Sequence, residues 1–207
     1  MPIKHTLMCG SLAALLLVQC TSRLAGVETT NGCTVVATAK TIEGTVPPWS
    51  RVFVFDSSYI PYIDSGAGFG TAADNKGNFQ FNTPPGKYVV FVIGPTGDAA
   101  GIAITSPDSG KTGSVSKHQQ LQLPGVVSGT VVTAASDTML VFLEGMCQYQ
   151  VLVTAGAFSL DSVPPGTYVL KVARISGSLI GTGLTILHEQ RIRVNPGSVT
   201  PLAPISF

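Results

Sequence analysis

Along the chain, hydrophobic and polar residues alternate in short runs. Phe79-Gln80-Phe81-Asn82 and Phe158-Ser159-Leu160-Asp161 put every second residue on one face, the period of a half-buried strand. Denser apolar runs stand beside them: RVFVFD (51–56), YVVFV (88–92) and TMLVFLEG (138–145), rich in Val and Phe and too short for helices. HQQLQL (118–123), GVVSGTVV (125–132), RIRV (191–194) and LAPISF (202–207) add further short segments of the same kind. No long stretch has Leu, Ala, Glu and Lys at helical spacing. With 23 Gly and 14 Pro punctuating 207 residues, the pattern predicts an all-β chain of many short strands joined by turns.

The runs come in two sets. GNFQFNTPPGKYVVFV (77–92) and GAFSLDSVPPGTYVLKV (156–172) share a leading Gly, the Phe-centred alternation, Pro-Pro-Gly, and a Tyr that opens a Val-rich run. Upstream of each lies a further strand pair, TVVATAK (34–40) with RVFVFD in the first set and GVVSGTVV with TMLVFLEG in the second. This internal repeat predicts two tandem β-sandwiches, 33–123 and 124–207, near the usual size for such units. In each, Pro presets φ and withholds an N–H, and Gly would take the positive φ of a type II turn. The expected result is a reversal in which the strand ending at Leu160 pairs with the one starting at Tyr168, the Tyr ring capping the core edge with its hydroxyl in water. VTAGAF replaces DNKGNF in the second copy, so its hairpin lacks the acidic turn and is expected to be looser. The two copies resemble carboxypeptidase regulatory-like, or transthyretin-like, domains. The resemblance covers both halves and implies Greek-key, prealbumin-like sandwiches used as stabilising, adhesive or carbohydrate-binding modules, and a fold alone carries no activity with it.

The first twenty residues read differently. Lys4 and His5 precede an apolar run from Leu7 to Val18, a secretory leader too short to span a bilayer as a stable helix. Leu17-Val18-Gln19-Cys20 resembles the lipobox of bacterial lipoproteins, with Gln19 where that family usually has Gly, Ala or Ser. The resemblance implies removal of residues 1–19, acylation of Cys20 with diacylglycerol and a fatty acid such as palmitate, and a tether over 20–32. Two or three acyl chains anchor stably where one is marginal, so the lipid on Cys20 makes a membrane the first expected partner. Thr21 and Ser22 follow without an acidic residue, consistent with an outer-membrane address in bacteria with two membranes. Cys9 leaves with the leader; Cys33 and Cys147 remain, and their pairing stays open.

Charge and chemistry narrow the function. Twelve basic and 11 acidic residues, with no basic run, give none of the electrostatic footprint that nucleic acid needs. His118 and His188 have no partners at metal-ligand spacing, and HEQR (188–191) lacks the second His of a zincin helix. SGKT (109–112) lacks the first Gly of a phosphate loop, SVSK and KTG overlap in the wrong order for a penicillin-interacting set, and DNKGN is too short for a calcium loop. The reading is therefore a non-catalytic protein without cofactor or metal: a structural or adhesive module meeting a glycan or an envelope protein. An alternative is a carbohydrate-binding lipoprotein in which Trp49, Tyr59 and Tyr62, with Asp56 and Asp64, form one platform on a rim of the first sandwich. A regulatory subunit of an envelope enzyme is the third reading.

Overall fold

Period-two burial dictates the architecture. The computed structural model describes residues 31–64, 68–110, 113–133, 137–176 and 183–207, and its regular elements are all strands. The leader and Cys20 lie outside the described residues. In the first half these are β1 (Gly32–Ala37), β2 (Thr41–Thr45), β3 (Arg51–Asp56), β4 (Phe69–Ala72), β5 (Asn78–Asn82), β6 (Gly86–Ile93), β7 (Ala99–Ser106) and β8 (Val115–Gln120). The second half holds β9 (Gly125–Val132), β10 (Thr138–Leu143), β11 (Tyr149–Leu152), β12 (Gly156–Val163), β13 (Gly166–Ser176), β14 (Gly183–Val194), β15 (Val199–Pro201) and β16 (Ile205–Ser206).

Each half closes two sheets on itself. The first pairs β5-β2-β1-β8 and β4-β3-β6-β7; the second pairs β12-β9-β15, with β16 also on β9, and β11-β10-β13-β14. The frames correspond strand for strand: β3, β4, β6 and β7 match β10, β11, β13 and β14, while β2 and β5 match β9 and β12. The counterpart of GVVSGTVV is thus Thr41–Thr45, with Ile42-Glu43-Gly44-Thr45 set against Val127-Ser128-Gly129-Thr130, and not TVVATAK as the repeat suggested. TVVATAK is largely β1, antiparallel to β2; the second half fills that side with β15 and β16, parallel to β9. Sequence reasoning passed over β2 because TIEGT carries one strong hydrophobe, and over β7 because Ala and Gly dilute the alternation of Ile102 and Ile104.

The Pro-Pro-Gly element also behaves differently from expectation. β5 and β6 lie in opposite sheets, as do β12 and β13, so the turn carries the chain across the sandwich and makes no hairpin. Two prolines in succession withhold two ladder N–H groups, which ends one strand and frees the chain to cross. Neither Gly86 nor Gly166 has a positive φ. Glycine is needed for space: a Cβ at Gly86 would stand 3.2 Å from the Tyr88 ring and hydroxyl, and one at Gly166 3.0 Å from the Tyr168 hydroxyl. Each Tyr folds back over its Gly and donates to the first Pro carbonyl, Tyr88 to Pro84 at 2.8 Å and Tyr168 to Pro164 at 2.9 Å. The hydroxyls are therefore bonded to backbone, and burial pushes both phenols above their ordinary pKa.

Val35, Ile42, Val52, Val54, Phe79, Phe81, Val90 and Val92 build the first core. The second contains Val127, Val141, Leu143, Phe158, Leu160, Leu170 and Val172, and also Phe55, Phe91 and Ala99 from the first half. Here the dense runs show their meaning: in β3 and β6 one set of side chains fills the first core, and the intervening Phe55 and Phe91 enter the second. A sheet buried on both faces needs near-continuous apolar sequence. Fully burying one such ring contributes about 1.5–3 kcal/mol, so the two halves are joined by an apolar seam. No disulfide among the described residues adds to it. Cys33 and Cys147 are free thiols; the Cys33 S–H points to the Gln119 carbonyl at 3.1 Å, and burial pushes its pKa up to about 11.

Candidate functional site

The five side chains expected to share one platform are divided between the two ends of β3. Trp49 precedes the strand; Asp56 is its last residue, and Tyr59, Tyr62 and Asp64 follow it. Six residues of strand at about 3.3 Å each put roughly 20 Å between the groups. They do not form one surface.

At the far end the loop is a clasp between the halves. Tyr59 stacks on Phe55 at 4.8 Å, packs against the second core, and its carbonyl accepts the Gly145 N–H at 3.2 Å. Ile60 packs on a small cluster of Leu140, Phe142 and Ala173. Tyr62, 40% exposed and with a φ of 75°, has its ring 6.2 Å from that of Tyr149. The two carboxylates hold the loop itself: Asp56 accepts from the Ser58 N–H and hydroxyl at 2.8 and 2.6 Å, and Asp64 from the Ile60 N–H at 2.8 Å. These residues have structural employment.

At the near end, Trp49 is 67% exposed and held at a φ of 67°, a left-handed conformation that is strained for a bulky side chain. Its turn is fixed from several sides. Trp49 N–H donates to the Asp74 carbonyl at 3.4 Å, the Ser50 hydroxyl to the Pro47 carbonyl at 2.6 Å, and Ala73 N–H to the Ser50 carbonyl at 2.9 Å. Asp74 in turn accepts from the N–H groups of Lys76 and Asn78, each at 2.8 Å, and from the Asn78 side-chain amide at 3.1 Å. Those bonds hold its carboxyl below the ordinary value.

Asn78 opens a feature that the sequence reading missed. On the outer face of the first sheet an open groove of about 540 Å3 is lined by Thr34, Val36, Glu43, Thr45, Asn78 and Gln80, with Gly44 and Phe79 contributing to its lining. Cross-strand register orders the polar groups in rows. Asn78, Thr45, Thr34 and His118 form one, with Thr34 Oγ1 and His118 Nδ1 3.1 Å apart; Gln80, Glu43, Val36 and Ser116 form the next. The available signal was the outward half of NFQFN, in which Asn78, Gln80 and Asn82 place three side-chain amides on one strand face. His188 lies away from these rows, its ring 6.5 Å from Phe207.

No protein-family model and no curated protein sequence matches the chain. Among solved structures it is similar to a minor pilin of the Gram-positive pathogen Streptococcus agalactiae, at 12% identity and a TM-score of 0.35 over 79% of this chain and 84% of that one. It is also similar to the BSP domain of a biofilm-associated protein (11%, TM-score 0.29, 81% of this chain and 31% of that one) and to the Bacillus anthracis TIE protein (15%, TM-score 0.24, 75% and 30%). Likeness at these scores carries no argument about function.

Proposed function

We propose that the chain is a non-catalytic module of the bacterial cell envelope, anchored through lipid on Cys20, whose paired sandwiches hold an interaction surface at a fixed setting from the membrane. The observation that supports this reading is the shared core: Phe55, Phe91 and Ala99 of the first half sit among the second half's hydrophobic side chains. A joint of that kind lets two small sandwiches behave as one stiff body, which suits a spacer or a presenting module more than a hinged enzyme. The residues between Cys20 and β1 act as the tether, and the surface it presents meets a glycan or an envelope protein. The test is metabolic labelling of cells with an alkyne analogue of palmitate, followed by membrane fractionation of the wild type and Cys20→Ser. Label and membrane association in the wild type, both lost in the variant, are the expected result. An unlabelled wild-type protein that washes freely from membranes overturns the anchor.

A further inference from the structure

We infer that the groove across β5, β2 and β1 binds a neutral polysaccharide, and that the exposed ring of Trp49, on a turn tied to Asn78 through Asp74, serves it as a stacking face. The lining supplies what such a chain needs. Sugar hydroxyls both donate and accept, and the planar amides of Asn78 and Gln80 offer both functions, while the Thr34 and Thr45 hydroxyls and the Glu43 carboxylate add further partners. Among the described residues that line the groove, Glu43 is the one that carries a charge, which gives an anionic polymer no favourable partner there. Its volume of about 540 Å3 falls within the roughly 300–1,000 Å3 of small-molecule sites.

Trp49 is linked to this groove through Asp74, which takes the Trp49 N–H on its carbonyl and Asn78 on its carboxylate. A large ring kept in a strained backbone conformation with most of its surface in water contributes little to the core. It does provide a flat, rigid face on which a pyranose can stack by its C–H side.

The second copy supplies an internal contrast. At the positions of Glu43, Asn78 and Gln80 it has Ser128, Ala157 and Ser159, and the 133–137 connection that replaces the Trp49 turn contains no aromatic residue. The same strand frame has thus been kept with the long polar side chains removed. Those exchanges are compatible with the frame and make suitable variants.

The inference deepens the interaction role proposed above and is independent of the lipid. Its test uses residues 31–207, which hold every described strand and the hydrophobic clusters but not Cys20, so failure of the anchor does not affect it. Retention and titration on laminarin, xylan, galactomannan and dextran, with alginate and polygalacturonate as charged controls, are read through emission of the only tryptophan. The expected result is saturable binding to at least one neutral polymer with a shift in Trp49 emission. Glu43→Ser with Gln80→Ser should weaken it by at least about tenfold, the loss expected when hydrogen bonds to two side chains are removed. Trp49→Gly should weaken it similarly while leaving the melting temperature unchanged or higher, because Gly accepts the positive φ. Tyr62→Ala, at the other end of β3, should bind as the wild type does. No binding to any neutral polymer, binding confined to the charged controls, or binding that survives the groove exchanges but is lost in Tyr62→Ala each overturns the inference.

Discussion

The outward faces of β6 and β13 occupy the same place in the two copies and carry opposite chemistry. Aligning Tyr88 with Tyr168 sets Phe91 against Lys171, and the strand register then sets Phe55 against Glu144. In the first copy these positions are two aromatic rings sunk in the second copy's core. In the second they are an ion pair, with Lys171 Nζ 2.7 Å from Glu144 and 3.2 Å from Glu189. Hydrogen bonding to Glu144 holds the Lys171 amine above its ordinary pKa, so the amine is charged at neutral pH. One frame therefore carries buried rings at these two positions in the first copy and an ion pair in the second, where the pair stands beside the apolar cluster of Leu140, Phe142 and Ala173 on which Ile60 packs.

The largest effect is expected from breaking the docked face. Phe91→Ala leaves a hole in a seam with 2% exposure at that ring, and should cost about 3–5 kcal/mol. Urea unfolding followed by tryptophan emission and by far-ultraviolet circular dichroism checks it. The wild type should give one coincident transition by both probes, and the variant should separate them, since Trp49 reports the first half alone. The converse exchange, Glu144→Phe with Lys171→Phe, gives the second copy the first copy's outer face. Concentration-dependent association in sedimentation velocity is the expected outcome, and a strictly monomeric double variant would show that the two rings are not what makes the face adhesive.

A smaller difference separates the paired strand glycines. A Cβ on Gly44 would overlap the backbone carbonyl oxygen of Thr34, which cannot move without shifting β1. On Gly129 it would meet the Phe158 ring at 2.8 Å, which can turn away, and the Leu202 Cβ at 3.4 Å, an ordinary contact. Gly44→Ala should therefore cost about 2–3 kcal/mol and Gly129→Ala about 1 kcal/mol. Equal losses in chemical denaturation would mean that β1 and β15 yield alike.

How much of this the sequence shows depends on whether the signal is local. Alternation at Phe79/Phe81 and Phe158/Leu160, and the turn residues between runs, are local, so the all-β class is legible. One further local detail is readable in hindsight. Leu160 stands four residues before Pro164 where Phe81 stands three before Pro84, and the extra residue appears as a register shift between Leu160 and Val163 with Ser162 at a φ of 58°. Partner choice is not local. TVVATAK and TIEGT compete for the same place in the repeat, and only the sheet order assigns them. Tyr59 and Tyr62 looked like an exposed platform because the sequence does not show that Gly145 and Tyr149 lie across from them. The groove was hidden for a related reason: Thr34, Glu43 and Gln80 come from three strands whose register brings them side by side. The contrast of Phe91 with Lys171 was on the page of the sequence, but its meaning required knowing which face each strand turns outward.

The repeated corner offers a comparison expected to come out even. Tyr88→Phe and Tyr168→Phe each remove one hydroxyl donor to a proline carbonyl, and each should cost about 1 kcal/mol. A clear inequality in thermal melts would assign the two corners different weights despite their matching geometry.

The smallest effect is a pH dependence that belongs to the first copy alone. Asp74 is exposed, and the bonds from Asn78 and Lys76 keep its carboxyl below its ordinary value in the folded protein. A group whose folded pKa is depressed contributes stability that is present above its unfolded pKa and is lost as the pH falls through the folded one. The contribution should therefore be intact at neutral pH and should fade below about pH 4, the unfolded carboxylate value. The second copy has VTAGAF in this place and no carboxylate to titrate. In Asp74→Asn the acid-side loss should diminish, and the Trp49 turn, which bonds to the residue 74 carbonyl, should report it as a flatter emission profile between pH 5 and pH 3, roughly the range in which carboxylates titrate. An unchanged profile would mean that the turn is held by its backbone bonds, with Asp74 contributing no more than Ala would, and this turn, which joins β4 to β5 in the opposite sheet and forms no hairpin, would then owe its form to Gly77 and not to the carboxylate.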